Sequence, residues 1–186
     1  QMCIRDSSVT TDSGSTAGIA GNVDQNVFNG SEDELLALGT NEIPICGTIG
    51  PDGGEIDNGD DCLSTYGNDM FWREEAAGIG GSLLWTNATD FEDPSNYAVW
   101  RLWLEEAGEY DVEVHVDPAF AETTQAAYLV THADGETEVV VDQSAANGWV
   151  PLGTFAFETD AEYRVRLNDN TGESNDLELG IVYDAL

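Results

Sequence analysis

Three side chains near the middle of the sequence combine aromatic rings with a cation on one face of a predicted strand. Tyr97, Arg101 and Trp103 alternate with apolar residues, so they share the face opposite Trp100. Aromatic rings pack against the C–H faces of sugars, and arginine donates hydrogen bonds to sugar oxygens. The pattern therefore predicts a polysaccharide-binding strip, with Trp103 as its first stacking ring. The alternative is that preceding residues cover Tyr97 and Trp103, which then only pack.

Two oxygen-rich loops raise the question of a bound calcium ion. The first contains Asp57, Asp60 and Asp61, and the second contains Asn168 and Asp169. Hard cations take six to eight oxygen ligands, which such loops can supply. Neither loop has the EF-hand spacing, and acidic loops arise by chance in a chain this acidic. Calcium and simple solvation both remain open, and no other cofactor is expected.

The charge balance excludes several classes of partner. The 186 residues include 37 acidic side chains, five arginines and no lysine, for a formal net charge of −32. Nucleic acids and anionic membranes attract clustered cations, which this chain lacks. No apolar run is long enough to span a membrane. The composition favours an extracellular or cell-surface protein, although residues 1–10 show no signal peptide.

Catalytic motifs are missing from the sequence. It contains no Gly-x-Ser-x-Gly, no His-Glu-x-x-His and no phosphate-binding loop. His115 and His132 are separated by 16 residues, and neither has metal-ligand spacing to the cysteines. We therefore expect no catalytic activity within this chain.

The N-terminal quarter differs in amino-acid composition from the rest of the chain. Residues 1–7 resemble a translated sequencing adapter, and residues 8–42 read as a disordered acidic linker because they offer little apolar area. Cys46 and Cys62 bracket a loop rich in Gly and Asp. In an exported chain we expect these two cysteines to form a disulfide.

Residues 43–186 read as a single β-domain. Apolar and polar residues alternate in most of their segments, and turn residues recur every 8 to 12 positions. We count about eight strands, which favours an all-β antiparallel sandwich or jelly roll. The predicted strands are 83–86, 97–104, 110–116, 126–132, 138–141, 148–157, 163–167 and 177–183.

The second half of the chain resembles a known family. The resemblance rests on Ala-Gly-x-Tyr-x-Val-x-Val at 107–114, on the segment 128–143 ending in Val-Asp-Gln, on Gly-Trp-Val-Pro-Leu-Gly-Thr-Phe at 148–155, and on a final Asp-Ala. Residues 97–186 are thus similar to the golvesin C-terminal-like domain, with 43–96 as an N-terminal elaboration. The resemblance implies a galactose-binding-like β-sandwich that serves as a non-catalytic accessory in secreted bacterial proteins. Xanthan lyase-type proteins and cell-wall amidases are examples of such proteins.

The resemblance also implies site residues. His132, Asp142 and Gln143 match recurring polar positions of the family, where they either contact a ligand or stabilise turns. Trp149, after the next turn, either covers the core or lines a ligand site. The function that follows is binding to polysaccharide or cell wall beside a catalytic domain, the parent being a hydrolase such as an N-acetylmuramoyl-L-alanine amidase. The alternative is a spacer domain with no ligand of its own.

Overall fold

The computed structural model describes residues 47–186, and these residues form ten β-strands joined by short loops and 3₁₀ turns. The predicted adapter at 1–7, the predicted linker at 8–42 and Cys46 lie outside the described residues. The strands are β1 (Leu63–Gly67), β2 (Arg73–Glu75), β3 (Leu83–Asn87), β4 (Asn96–Leu102), β5 (Gly108–Val116), β6 (Ala126–His132), β7 (Gly135–Val141), β8 (Gly148–Phe157), β9 (Tyr163–Asn168) and β10 (Gly180–Tyr183).

The first layer is a five-stranded antiparallel sheet in the order β1-β4-β9-β6-β7. Its central strands alternate buried and half-buried residues, as a sheet with one covered face requires. Strand β7 forms one edge, where Glu136 and Glu138 are exposed. The inner face of this sheet contributes Trp100, Tyr128 and Val165 to the core.

The second layer combines the sheet β10-β3-β2 with the pair β5-β8. The His115 N–H donates to the carbonyl of Ala185 (2.8 Å), which ties β5 to the residues just after β10. Leu83, Val114 and Ile181 are buried on the inner side of this layer. One apolar core therefore lies between two antiparallel layers, and the predicted all-β sandwich is confirmed.

The strand predictions follow the structure where alternation was strong. The structure adds β1 and β2, which sequence reading missed because both are short and polar. The last predicted strand is too long at its start, where residues Asn175–Leu177 form a 3₁₀ turn and the strand begins at Gly180. None of the described helical turns is long and apolar enough to cross a membrane.

Cys62 is buried beside the start of β1 and is disulfide-bonded. Its predicted pairing with Cys46 stays a prediction. Peptide mapping without reductant is expected to give one cross-linked peptide that contains both residues, because the loop between them is short and an exported chain meets oxidising conditions. Recovery of Cys46 and Cys62 as separate alkylated thiols would contradict the pairing.

Candidate functional site

A cleft of about 260 Å³ opens at the end of the sandwich, between the turn before β2, the β3–β4 loop and the β9–β10 loop. Two aromatic rings line it, Phe71 and Phe91, and they are 49% and 51% exposed. Arg73, Asn87 and Asp169 line the same cleft. Half-exposed rings beside converging polar groups make this cleft the candidate ligand site.

Local hydrogen bonds hold Phe71 at this position. Asn68 caps the 3₁₀ turn Asp69–Phe71, because its side-chain oxygen accepts the Met70 N–H and its carbonyl accepts the Phe71 N–H, both at 3.0 Å. The buried side chain of Asn96 donates to the same carbonyl. The turn is thereby fixed to the first sheet, and the Phe71 ring is presented by a rigid support.

Arg73 is held by neutral groups. Its guanidinium lies 4.4 Å from the Trp85 ring centroid, and Trp85 in turn stacks on Phe120. One terminal nitrogen, Nη1, donates to the Phe71 carbonyl (3.3 Å) and to the Asn87 side chain (3.4 Å). The cation–π contact and these bonds order the side chain without neutralising its charge.

The most deeply buried acidic group of the cleft is Asp169, which is 2% exposed. Its carboxylate accepts the N–H groups of Ser95 and Asn96, both at 2.9 Å. Burial raises the pKa of Asp169 to about 6, although these hydrogen bonds oppose the shift. Thr89 also lines the cleft, and its buried hydroxyl has no hydrogen-bond partner among residues 47–186. A bound hydroxyl group or a water would satisfy it.

The raised pKa of Asp169 predicts a pH effect on stability. The folded state binds the Asp169 proton more tightly than the unfolded state, so stability falls as pH rises from about 4 to about 6 and the loss persists above that. Burial also raises the pKa of Asp184, which acts in the same direction. We expect the melting temperature to rise between pH 7 and pH 5, measured in about 1 M salt to screen the net charge.

Asp169→Asn provides the control for this pH effect. The variant removes one titrating group, so its melting temperature should rise less steeply on acidification, whatever its value at pH 7. Equal slopes for the variant and the parent would show that Asp169 does not titrate as its burial implies.

The predicted strip on β4 is engaged in internal contacts. The Arg101 guanidinium donates to Ser64 and to the hydroxyl of Tyr66, and it lies 3.6 Å from Glu162. Tyr97 lies between the Tyr66 ring (4.7 Å) and the guanidinium of Arg166 (3.9 Å).

Trp103 is not the open ring that the strip predicted. It is half-buried and packs against the core, and its carbonyl accepts the N–H of Ile49 from the preceding segment (2.7 Å). Trp103 lies just beyond the end of β4, where other residues cover most of the ring.

The polar positions implied by the resemblance are mostly structural. Gln143 is fully buried, and its amide bonds the Tyr128 hydroxyl and both backbone groups of Val182, all at 2.9 Å. It cannot touch a ligand in this fold, which corrects its assignment to a binding site. His132 accepts the Asp134 N–H and bonds Thr137 across the β6–β7 turn.

Asp142 and Trp149 are exposed but separate from the cleft. The Asp142 carboxylate accepts the hydroxyl of Ser144, a local turn contact. Trp149 is 42% exposed, and its ring meets His115 edge to face at 5.3 Å. His115 in turn bonds buried Asp184 (2.6 Å). Trp149 also borders a second hollow of about 240 Å³, whose inner wall is mainly apolar. Its ligand role stays a prediction.

The calcium candidates do not converge. Within residues 47–186, no group of three or more acidic, histidine or cysteine side chains is arranged to hold a metal ion. The Asp57 carboxylate accepts the Asn58 N–H, and the Asp60 carboxylate accepts the Asp57 N–H, both at 2.8 Å. Asp61 is exposed, and Asn168 accepts a hydrogen bond from Arg166. Calcium stays a prediction from the loop composition.

Sequence reasoning missed Phe71, Phe91 and Arg73 as a group. The available signal was that both rings lie outside any alternating strand, Phe91 between Asp90 and Glu92 and Phe71 within the short run Met70-Phe71-Trp72. Such positions do not predict on which surface a ring lies. Their meeting point depends on loops that are far apart in sequence, which no spacing rule reveals.

The fold defines the class of this protein: an antiparallel β-sandwich. Residues 65–185 match the family model of the Golvesin C-terminal domain, and the chain belongs to that family. The predicted resemblance is thereby confirmed. None of the curated proteins matches the chain.

One solved structure supports the fold. A Paenibacillus xanthan lyase is similar with a TM-score of 0.57 and 20% identity, over 70% of this chain and 12% of the lyase. A Podospora anserina GH26-CBM35 β-(1,4)-mannanase aligns at 12% identity and a TM-score of 0.37, over 67% of this chain and 27% of the mannanase. The chain thus spans a small part of the lyase and of the mannanase.

Proposed function

We propose that this domain is a glycan-binding accessory module of an exported bacterial protein, and that it keeps a neighbouring catalytic domain close to polysaccharide. The observation that carries the proposal is the cleft, where two half-exposed phenylalanine rings face ordered polar side chains. A spacer domain has no need to hold apolar rings in solvent at a loop-lined hollow.

The physical role of each group follows from its position. Phe71 and Phe91 offer stacking faces for sugar rings. Arg73 and Asn87 offer hydrogen bonds at the side of the cleft, and Asp169 lies deeper within it. Arg73, Asn87 and Asp169 are ordered by their own contacts, so binding requires little additional ordering of these side chains.

The proposal extends to the setting of the parent protein. The xanthan lyase and the mannanase are carbohydrate-active enzymes by name, and both chains are much longer than the matched region. An attached catalytic domain and secretion agree with that setting and with the acidic composition. Polysaccharide is the favoured ligand, and a cell-wall polymer is its closest alternative.

The test is retention of the full chain on a panel of insoluble polysaccharides and purified cell walls, followed by titration calorimetry with soluble forms of whatever retains it. We expect saturable binding to at least one polymer. Absence of binding across the panel would favour the spacer function instead.

A further inference from the structure

Arg73 lines the cleft and has no carboxylate partner among residues 47–186, although the chain is strongly acidic. Arg101 and Arg164 both approach Glu162, at 3.6 and 2.7 Å. No ion pair within residues 47–186 involves Arg73, although the whole chain has 37 acidic residues for five arginines. Arg73 therefore presents a positive charge without an ion-pair partner at the cleft.

The geometry of Arg73 leaves a specific part of the guanidinium available. Both of its hydrogen bonds within residues 47–186 are long and use Nη1 alone, toward the Phe71 carbonyl and Asn87. Nε and Nη2, which lie side by side on one edge of the fork, make no hydrogen bond within the same residues. That edge matches the two oxygens of a carboxylate in a bidentate pair. The stack on Trp85 fixes the plane of the fork in advance.

The acidic residues of the cleft do not satisfy this edge. The Asp169 carboxylate is occupied by the backbone N–H groups of Ser95 and Asn96. Glu178, also lining the cleft, is exposed to water and forms no ion pair in the described part of the chain. Water screens the charge of Glu178, so this carboxylate reduces the attraction of an anion to Arg73 only modestly.

We propose that the cleft binds a uronic-acid residue of an acidic polysaccharide, with the sugar carboxylate on the Nε–Nη2 edge of Arg73 and the sugar ring against Phe71 or Phe91. This assignment rests on the proposed glycan-binding function and specifies its ligand class. The bond is a bidentate, charge-assisted one, and its electrostatic part weakens as salt rises.

The ligand side of the test compares each acidic polymer with its own neutralised form. The probes are polygalacturonate, alginate and glucuronoxylan, each titrated beside its methyl-esterified derivative in dilute buffer. Esterification keeps the sugar and removes the charge. At least one acidic polymer is expected to bind about tenfold or more tightly than its ester.

The protein side of the test uses a matched pair of arginines. Arg166 also lies over an aromatic ring, Tyr97, and has no ion pair among residues 47–186, but it lies on the outer face of the first sheet. Arg73→Gln is expected to weaken binding of the acidic polymer about tenfold and to abolish the preference over the ester. Arg166→Gln changes the net charge equally, and it should leave both the affinity for the acidic polymer and the preference over the ester unchanged. Arg73→Lys should recover part of the affinity but not the bidentate geometry.

The outcomes separate the two proposals. Equal binding of acidic and esterified polymers, or equal losses in Arg73→Gln and Arg166→Gln, would overturn the uronic-acid assignment while leaving glycan binding intact. Binding to neutral polysaccharides alone would do the same. Failure to bind any glycan in the wider panel would remove the proposed function and this assignment together. Thermal melts of each variant establish that it is folded.

Discussion

Replacing Gln143 by methionine is expected to lower the free energy of unfolding by about 3–5 kcal/mol, a large fraction of the stability of a typical domain. The side chain is fully buried and bonds the Tyr128 hydroxyl and the N–H and carbonyl of Val182. Methionine fills the volume but leaves these three groups unsatisfied, at about 1–3 kcal/mol each. The melting temperature should fall by roughly 6–20 °C.

The matched control for this variant is Gln125→Met. Gln125 is exposed, and its side chain bonds only the neighbouring Thr124, so the same change should alter stability by no more than about 0.5 kcal/mol. Chemical denaturation of the two variants beside the parent measures both values. A Gln143 variant as stable as the Gln125 variant would show that the buried amide does not hold the 3₁₀ turn Gln143–Ala145 and β10 together as its contacts imply.

Removing both cleft rings is expected to weaken glycan binding by a factor of roughly 30 to 1,000. Phe71 and Phe91 are each about half exposed, so a bound sugar would cover area that is now in water. Each ring should contribute about 1–2 kcal/mol, which gives about 2–4 kcal/mol for the Phe71→Ala, Phe91→Ala double variant. Calorimetric titration with a polysaccharide that binds the parent measures the loss.

Met70→Ala is the control for the double variant. Met70 is adjacent to Phe71 and more exposed, at 83%, but it does not line the cleft. The Met70→Ala variant should bind the polysaccharide as tightly as the parent does. All three substituted positions lie at the surface, so the melting temperatures should stay close to that of the parent. Unchanged affinity in a folded double variant would exclude this cleft as the binding site.

Much of the fold could be predicted because apolar and polar residues alternate along the strands, and this pattern is visible in the sequence. In β5, Val112, Val114 and Val116 alternate with polar residues, and the structure buries all three. β2 escaped prediction because a strand of three residues, two of them acidic, carries no such period. The order of strands in the sheets also lay beyond prediction, since it depends on contacts between distant segments.

The site was harder to predict than the fold. Alternation predicts that Trp103 points away from the core, but Trp103 lies beyond the end of β4 and packs against the core. The resemblance marks Gln143 as a recurring polar position. A buried side chain that hydrogen-bonds two strands recurs at such a position for structural reasons, without any ligand. Phe71 and Phe91 lie 20 positions apart in irregular segments, and only the folded loops bring them to one cleft.

The acidic edge of β7 has a consequence for contacts between copies of this domain. Glu136 and Glu138 lie exposed on the last strand of the first sheet. An unpaired strand edge invites the edge of another molecule, but two such edges would align like charges side by side. Two copies that meet along this edge therefore repel each other, so the edge does not extend into a continuous sheet through several molecules.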